Sequence, residues 1–197
     1  MTSNRALSYH KLLIPISFTL AAKGTWQFGK PLRPVRLIVL HSAECGEVAT
    51  AAEALASWAS GTGHPVGASW HFAVDCDSIT QSVEMNDIAW HAGTVYGYSI
   101  GIEQAGRASQ TTEQWNDDYS ASMLANTAKL VAVIAGLYDI PIEHCTDLHS
   151  PNATGICTHA DVTKALAVKN GHWDPGPNYP IDKVLTMARA FQLEAVQ

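Results

Sequence analysis

The chain has 197 residues, of which 47% are hydrophobic and 15% are charged, so it suits one globular domain with a substantial core. The formal net charge of -6 at pH 7 leaves no basic stripe that could neutralise phosphates. We therefore exclude a general nucleic-acid binder.

The amino-terminal segment raises the question of targeting. The apolar stretch 12–22 has the length of a signal-peptide core, but Pro15 interrupts it, and it is too short to cross a bilayer as a helix. Apolar residues alternate from Ile16 to Leu20, which favours a strand. We predict an amino-terminal arm or strand over 1–32 packed on one domain over 33–197, with a cleaved signal peptide as the alternative.

The rest of the chain alternates between predicted strands and helices, with no internal repeat. Apolar runs and period-two alternation predict strands over 35–40, 69–75, 79–83, 99–103 and, more briefly, 143–146. Helical spacing predicts helices over 47–59, from Thr111 or Thr112 to about Tyr138, and over 180–194. Residues 89–98 and 148–155 are predicted loops. Gly101, inside a predicted strand, indicates the close approach of another group.

Two histidines and one aspartate are candidates for a metal site. His41 follows the predicted strand 35–40, where α/β proteins place active-site groups. His159 follows a short apolar segment, and Asp174 precedes Pro175, which favours an extended backbone at the aspartate. Two imidazoles and one carboxylate match the preferences of zinc and leave a fourth position open, as a catalytic zinc requires.

The remaining histidines are less easily assigned. His149 lies close enough in sequence to His159 to compete with it as a ligand. His71 is expected in the core or behind a ligand, whereas His64 and His144 have no partner that the sequence identifies.

The four cysteines form no CxxC pair, which argues against a structural zinc ribbon. Cys145 and Cys157 bracket a loop and would suit a disulfide outside a reducing cytosol. Four free thiols that pack as small apolar residues fit the sequence equally well.

Five segments, taken together and in order, resemble the type-2 N-acetylmuramoyl-L-alanine amidases, a family that includes phage endolysins and is related to the peptidoglycan recognition proteins. These segments are LHS at 40–42, WHF at 70–72, AWHAG at 89–93, SIGIE at 99–103, and His159 with DPGP at 174–177. The resemblance implies a single α/β domain with a central mixed β-sheet flanked by helices and a zinc ion at the floor of a groove. It also implies hydrolysis of the amide between N-acetylmuramic acid and the first L-alanine of the stem peptide.

Carried over residue by residue, the resemblance implies one zinc ion per chain on His41, His159 and Asp174, although some relatives use cysteine in the third position. Glu103 matches an acidic residue that many relatives place beside the reacting water, where a carboxylate can pass a proton to the leaving amine. A surface salt bridge at Glu103 is the less favoured reading, because its strand is predicted to be buried.

The chain departs from the family pattern at two positions. Many relatives have lysine two residues before the last ligand, where this chain has His172. We expect His172 to assist the developing oxyanion, with a steeper pH dependence than lysine would give. Some phage relatives carry a catalytic tyrosine where Trp70 stands, so we assign the base to Glu103.

Three further residues are expected to bind substrate. His91 is expected to line the groove and hydrogen-bond the stem peptide. Trp90 and Tyr98 are expected to stack on sugar or peptide, although aromatic residues in loops serve packing as often.

The resulting prediction is a zinc amidase of peptidoglycan, acting at the bacterial cell wall as a phage or prophage endolysin. The alternatives are a binding-only recognition module and a cytosolic muropeptide-recycling amidase. The intact ligand set with Glu103 favours the enzyme. We expect a monomer with no nucleic-acid or membrane partner, made in the cytoplasm and released without an evident export signal.

Overall fold

The computed structural model describes residues 16–29, 34–61, 67–167 and 171–194. Within these ranges the strands are β1 Ile16–Phe18, β2 Trp26–Gln27, β3 Leu37–Ser42, β4 Phe72–Val74, β5 Ile79–Gln81, β6 Ile88–Ala89, β7 Ser99–Gln104 and β8 Gly155–Thr158. The α-helices are α1 Ala51–Ala59, α2 Asp118–Tyr138, α3 His159–Ala165 and α4 Ile181–Glu194. Short 3-10 helices span Gly93–Tyr98 and Gln114–Asn116.

Six strands form one mixed sheet in the order β1-β5-β4-β7-β3-β8. The strands β4, β7, β3 and β8 are mutually parallel, β4 and β5 form an antiparallel hairpin, and β1 adds to β5 in parallel. A separate two-stranded sheet joins β2 to β6. The predicted central mixed β-sheet flanked by helices is confirmed.

Alternate side chains of β3 enter different clusters on the two faces of the sheet. Ile38 and Leu40 pack in the cluster that contains residues of α2 and α4. Leu37 and Val39 pack with Val162 of α3. Since side chains alternate along a strand, His41 shares the face of Leu37 and Val39.

The central strand β3 extends two residues beyond the prediction, so the expectation that His41 follows the strand is wrong. All six residues of β3 are buried, and β7 continues beside them, pairing Glu103 with His41 and Gln104 with Ser42. The pairing with β7 keeps two polar residues in the strand where the apolar pattern has already ended.

Both predicted long helices begin later than expected. The helix predicted from 47 begins at Ala51, because Glu47 instead accepts hydrogen bonds from Ser120 and Gln110 at 2.7 and 3.0 Å. The helix predicted from Thr111 or Thr112 begins at Asp118 and is capped by Asp117, whose carboxylate accepts from the Ser120 N–H.

Helix α2 is long and apolar enough to cross a bilayer by length and composition. Yet 61% of its most apolar window is buried inside the domain, as expected of a core helix. Its buried side chains, such as Met123, Leu130 and Val131, belong to the largest hydrophobic cluster.

The amino-terminal arm is described from residue 16. Strand β1 lies where alternation predicted a strand, at the edge of the main sheet. Residues 1–15 lie outside the described part of the chain, and so does His64. The short strand predicted over 143–146 is reduced to a single bridge between His144 and Ile156.

All four cysteines are free thiols, and Cys157 is buried. Of the two alternatives that the sequence left open, the structure therefore contains free thiols rather than a Cys145–Cys157 disulfide.

Candidate active site

Three neighbouring parallel strands bring the candidate residues to one edge of the sheet. Strands β3 and β7 present His41 and Glu103 in register. Strand β8 ends at Thr158, and His159 is the first residue of α3. Parallel strands gather their carboxyl-terminal residues at the same edge, which is why residues distant in sequence meet here.

The start of α3 is fixed by a capping box. The Thr158 hydroxyl accepts from the Asp161 N–H at 3.1 Å, and the Asp161 carboxylate accepts from the Thr158 N–H at 2.8 Å. The Ala160 N–H donates to the Asp174 carbonyl at 2.9 Å, which ties the loop after α3 to the start of that helix. The loop thereby delivers Asp174 beside His159.

His41, His159 and Asp174 form a buried cluster whose nitrogen and oxygen ligand atoms lie within 4.8 Å of one another. Asp174 Oδ2 lies 3.2 Å from His41 Nδ1, and Asp174 Oδ1 lies 3.4 Å from His159 Nδ1. His159 Nδ1 is buried and has no hydrogen-bond partner. Because buried polar atoms are almost always satisfied, this nitrogen fits a site that holds a cation.

The protonation states of the cluster suit a metal. Burial lowers the pKa of His41, so this imidazole is neutral at pH 7. Burial alone would raise the pKa of Asp174, but the adjacent His159 and His41 lower it below its ordinary value, so the group is a carboxylate. Neutral imidazole and carboxylate are ligands that zinc accepts.

Glu103 lies beside the cluster, with Oε1 3.9 Å from His41 Nδ1. Its Oε2 is buried without a hydrogen-bond partner. Burial, followed by the charges of Asp174 and Glu44, raises the pKa of Glu103 to about 8. A carboxyl group with its pKa displaced towards neutrality is suited to proton transfer, and a nearby cation would favour its ionised form.

His172 lies at the mouth of the cluster. Its ring stacks on His159 with the centroids 4.4 Å apart and the planes at 9°. Its Nδ1 lies 3.5 Å from Asp174 Oδ1, and 73% of the side chain is exposed. His172 is therefore the member of the group most open to an incoming substrate.

His91 lies behind His41, with its Nδ1 3.1 Å from His41 Nε2. Its other ring nitrogen lies 3.2 Å from the Ser99 hydroxyl. Burial lowers the pKa of His91 well below its ordinary value, and the neighbouring His41 and His71 add to the effect. The structure thus holds His91 as a neutral ring between protein groups.

The other residues expected near the site lie apart from it. In the described part of the chain, Trp90 and Tyr98 are not among the residues that line the cleft. Tyr98 packs against the cluster of Leu37 and Val39, with the Arg36 guanidinium 4.8 Å from its ring centre. His149 is exposed and outside the ligand cluster, so His159 takes the place for which the two competed.

A cleft of about 630 Å³ opens above the cluster. One wall is apolar and comes from α1 and the preceding loop, with Leu55 and Trp58 among its residues. Trp58 stacks on Trp70, with ring centroids 5.7 Å apart and planes at 7°. The sequence analysis missed Trp58, although its position seven residues after Ala51 places both on one helix face.

The sequence profile of the N-acetylmuramoyl-L-alanine amidase family matches residues 31–177. The chain belongs to this family. Membership confirms the resemblance drawn from the motifs and makes the protein an amidase of the peptidoglycan-cleaving class. No curated protein matches the amidase at a significant level.

Solved structures share the fold of this amidase at low sequence identity. The Staphylococcus aureus hydrolase AmiA aligns with a TM-score of 0.69 and 18% identity, over 93% of this chain and 86% of AmiA. A mutant endolysin from Bacillus subtilis aligns with a TM-score of 0.60 and 20% identity, over 91% and 99% of the two chains. The amidase LysC from Clostridium intestinale aligns with a TM-score of 0.55 and 17% identity, over 89% and 97%.

Proposed function

We propose that this amidase is a zinc enzyme that hydrolyses the amide between N-acetylmuramic acid and L-alanine. His41, His159 and Asp174 are the proposed zinc ligands. The observation that carries this proposal is the buried cluster of these three side chains, in which His159 Nδ1 has no protein partner. The donor set of two imidazoles and one carboxylate is one that catalytic zinc sites use.

Glu103 is the proposed general base. When bound, zinc supplies polarisation of the scissile carbonyl and lowers the pKa of a water molecule. The Glu103 carboxylate accepts the proton of the attacking water and then passes it to the amino group of the leaving L-alanine. Its side chain lines the cleft and is only 14% exposed, which limits its contact with bulk water.

His172 is the proposed oxyanion donor. Its exposed ring is held over His159 by stacking and faces the cleft. Through a ring N–H, His172 donates a hydrogen bond to the developing oxyanion. The sequence also predicted three substrate-binding residues, His91, Trp90 and Tyr98. Of these three, only His91 lines the cleft.

We propose that the enzyme acts as a phage or prophage endolysin on the bacterial cell wall. The structural likeness to endolysins of similar length is compatible with this role. A binding-only module would not need Glu103 buried beside a complete ligand set. A cytosolic recycling amidase remains the alternative, and it differs in requiring soluble muropeptides rather than intact wall.

The experiment combines metal analysis with mass spectrometry of digested peptidoglycan. We expect stoichiometric zinc and the release of stem peptides that begin with a free L-alanine. The variant His159→Ala should lose both zinc and activity, whereas the matched control His149→Ala, at an exposed histidine outside the ligand cluster, should keep both. Glycosidic fragments, or full activity after chelation, would refute the proposal.

A parallel assay distinguishes the two biological roles. The purified enzyme is given intact sacculi and soluble muropeptides at equal concentrations of the susceptible bond. An endolysin clears the sacculi, whereas preference for the soluble substrate alone would identify a recycling enzyme.

A further inference from the structure

The two ring nitrogens of His41 face opposite ways. Nδ1 points into the ligand cluster, 3.2 Å from Asp174 Oδ2. Nε2 points away from it and lies 3.1 Å from His91 Nδ1. A histidine can bind a metal through Nδ1 only when the proton of the neutral ring is on Nε2.

The hydrogen bonds behind His41 favour a neutral His41 ring that carries its proton on Nε2. The Ser99 hydroxyl donates to the Val95 carbonyl at 2.8 Å, so its oxygen is left to accept from His91 Nε2–H at 3.2 Å. His91 Nδ1 then carries no proton in the neutral ring and accepts from His41 Nε2–H. With the serine proton committed to a carbonyl, one arrangement of protons satisfies the contacts behind His41, and it leaves the His41 Nδ1 lone pair facing the cluster. Without a cation, the Asp174 carboxylate 3.2 Å from Nδ1 favours a proton on that nitrogen, so the chain through His91 opposes Asp174.

We propose that His91 is a positioning residue that sets the tautomer and the orientation of His41 for metal binding, through a relay that ends at Ser99 and the Val95 carbonyl. This inference rests on the proposed function, because it assumes a metal at the His41 cluster. It replaces the expectation that His91 binds the stem peptide, since both ring nitrogens of His91 are occupied by protein groups.

Gly101 makes the relay sterically possible. A Cβ built on Gly101 would lie 2.5 to 2.8 Å from three ring atoms of His91, closer than such atoms can approach. The backbone at Gly101 is itself held, because its N–H donates to His71 Nδ1 at 3.0 Å. The group whose close approach was predicted at Gly101 is therefore the His91 ring.

The decisive variants are His91→Phe, which keeps a ring but removes the acceptor, and His91→Asn, whose amide oxygen can occupy the position of Nδ1. Zinc affinity is measured by competition with a chromophoric chelator in folded protein. We expect His91→Phe to weaken zinc binding roughly tenfold to a hundredfold, the usual effect of losing the partner of a metal-bound histidine. His91→Asn should recover most of that loss, and the control His149→Ala, at an exposed histidine outside the cluster, should match wild type.

A second measurement does not depend on zinc or on activity. Nitrogen-15 NMR of the metal-free protein reports the tautomer of His41 directly. Because Asp174 favours a proton on Nδ1 and the relay favours one on Nε2, we expect a larger Nε2-protonated fraction in wild type than in Ser99→Ala, which keeps the ring of His91 but removes the hydroxyl that orients it. This variant also keeps the test decisive if His91→Phe does not fold.

The possible results separate the two proposals. If wild type binds zinc through His41 and His91→Phe binds it within twofold of wild type, the relay is refuted and the metal site stands. If wild type and Ser99→Ala have the same His41 tautomer population, the relay is refuted whatever the metal does. If wild type binds no zinc while Ser99→Ala shifts the tautomer as expected, the proposed function fails and the relay is an ordinary hydrogen-bond chain.

Discussion

Glu103 lies in surroundings unlike those of an exposed carboxylate, and burial raises its pKa to about 8. Replacing it with glutamine keeps its shape but removes the ability to accept a proton. We expect Glu103→Gln to retain zinc and to lower turnover by about a hundredfold to ten-thousandfold, the range attributed to a general base. Steady-state kinetics with matched metal content measure the effect.

The same chemical change at Glu84, an exposed carboxylate, is the control and should be silent. Loss of zinc in Glu103→Gln would instead make Glu103 a ligand, and the assigned roles would then be wrong.

His71 gives the protein a pH-dependent stability. Burial lowers the pKa of His71 to about 4, from 6.5 in an exposed ring. Between pH 6.5 and 4 the unfolded chain therefore binds more protons than the native protein, so stability falls as the pH falls through this window. Below pH 4 both states are protonated and this contribution to the pH dependence ends.

We expect His71 to cost the protein about 2 kcal/mol of stability between pH 7 and pH 5. The variant His71→Leu should be less stable at pH 7, because leucine replaces neither the acceptor for the Gly101 N–H nor the donor to the Asp87 carbonyl. Its stability should fall less on acidification. Urea unfolding of the metal-free proteins at the two pH values is the measurement, and parallel losses in both proteins would contradict it.

The sequence predicted the types of residue in the site better than their contacts. The DPGP segment and the LHS motif single out Asp174 and His41, because Pro175 restricts the backbone of the aspartate and a buried strand holds the histidine. The contact of His91 with His41 spans 50 positions and depends on the missing side chain of Gly101. Such a contact depends on how the fold brings distant segments together. The sequence pattern could indicate only that some group lies close to Gly101.

At the scale of elements, hydrophobic patterning located the strands and helices but not their ends. Strand β3 continues through His41 because β7 pairs with it, and pairing is invisible to a pattern read along one segment. Helix α2 begins at Asp118 rather than at a threonine because a 3-10 turn intervenes. Both errors occur where contacts between elements outweigh local preference.

The cap of α3 connects an element boundary to the site. Thr158→Ala removes half of the capping box and should destabilise the protein by about 1 kcal/mol. Because His159 is the next residue, the variant should also weaken zinc binding. Thermal unfolding and the chelator competition assay measure the two effects.

Asp117→Ala provides the matched control, since Asp117 caps α2 by the same kind of bond but α2 carries no proposed ligand. It should cost similar stability and leave zinc affinity unchanged. Equal zinc affinity in the two variants would show that the cap of α3 does not position His159.

At the scale of the whole molecule, the amino-terminal arm supports the apolar wall of the cleft. The Ala22 N–H donates to the Ala59 carbonyl at the end of α1, and Ser69 donates to the Thr25 carbonyl beside Trp70. Ala21 is buried in the same cluster as Ala59 and Trp70. We therefore propose that the arm over 1–32 is a supporting part of the catalytic domain over 33–197.

Deleting residues 1–29 should lower the unfolding midpoint on the order of 10 °C, because several buried hydrogen bonds of about 1 kcal/mol each are lost. Zinc affinity should be retained, since the arm supplies none of the three proposed ligands. Differential scanning calorimetry and metal titration of the truncated protein are the measurements. An unchanged unfolding midpoint would show that the arm does not stabilise the catalytic domain.

The proposed metal ligands also have a consequence for the timing of synthesis. His41 and Asp174 are 133 positions apart, and the aspartate comes near the end of the chain. The nascent amidase therefore carries only one of the three proposed ligands until His159 has been made, and the set is complete once Asp174 has followed. A product truncated before Asp174 would lack a proposed ligand and should be inert.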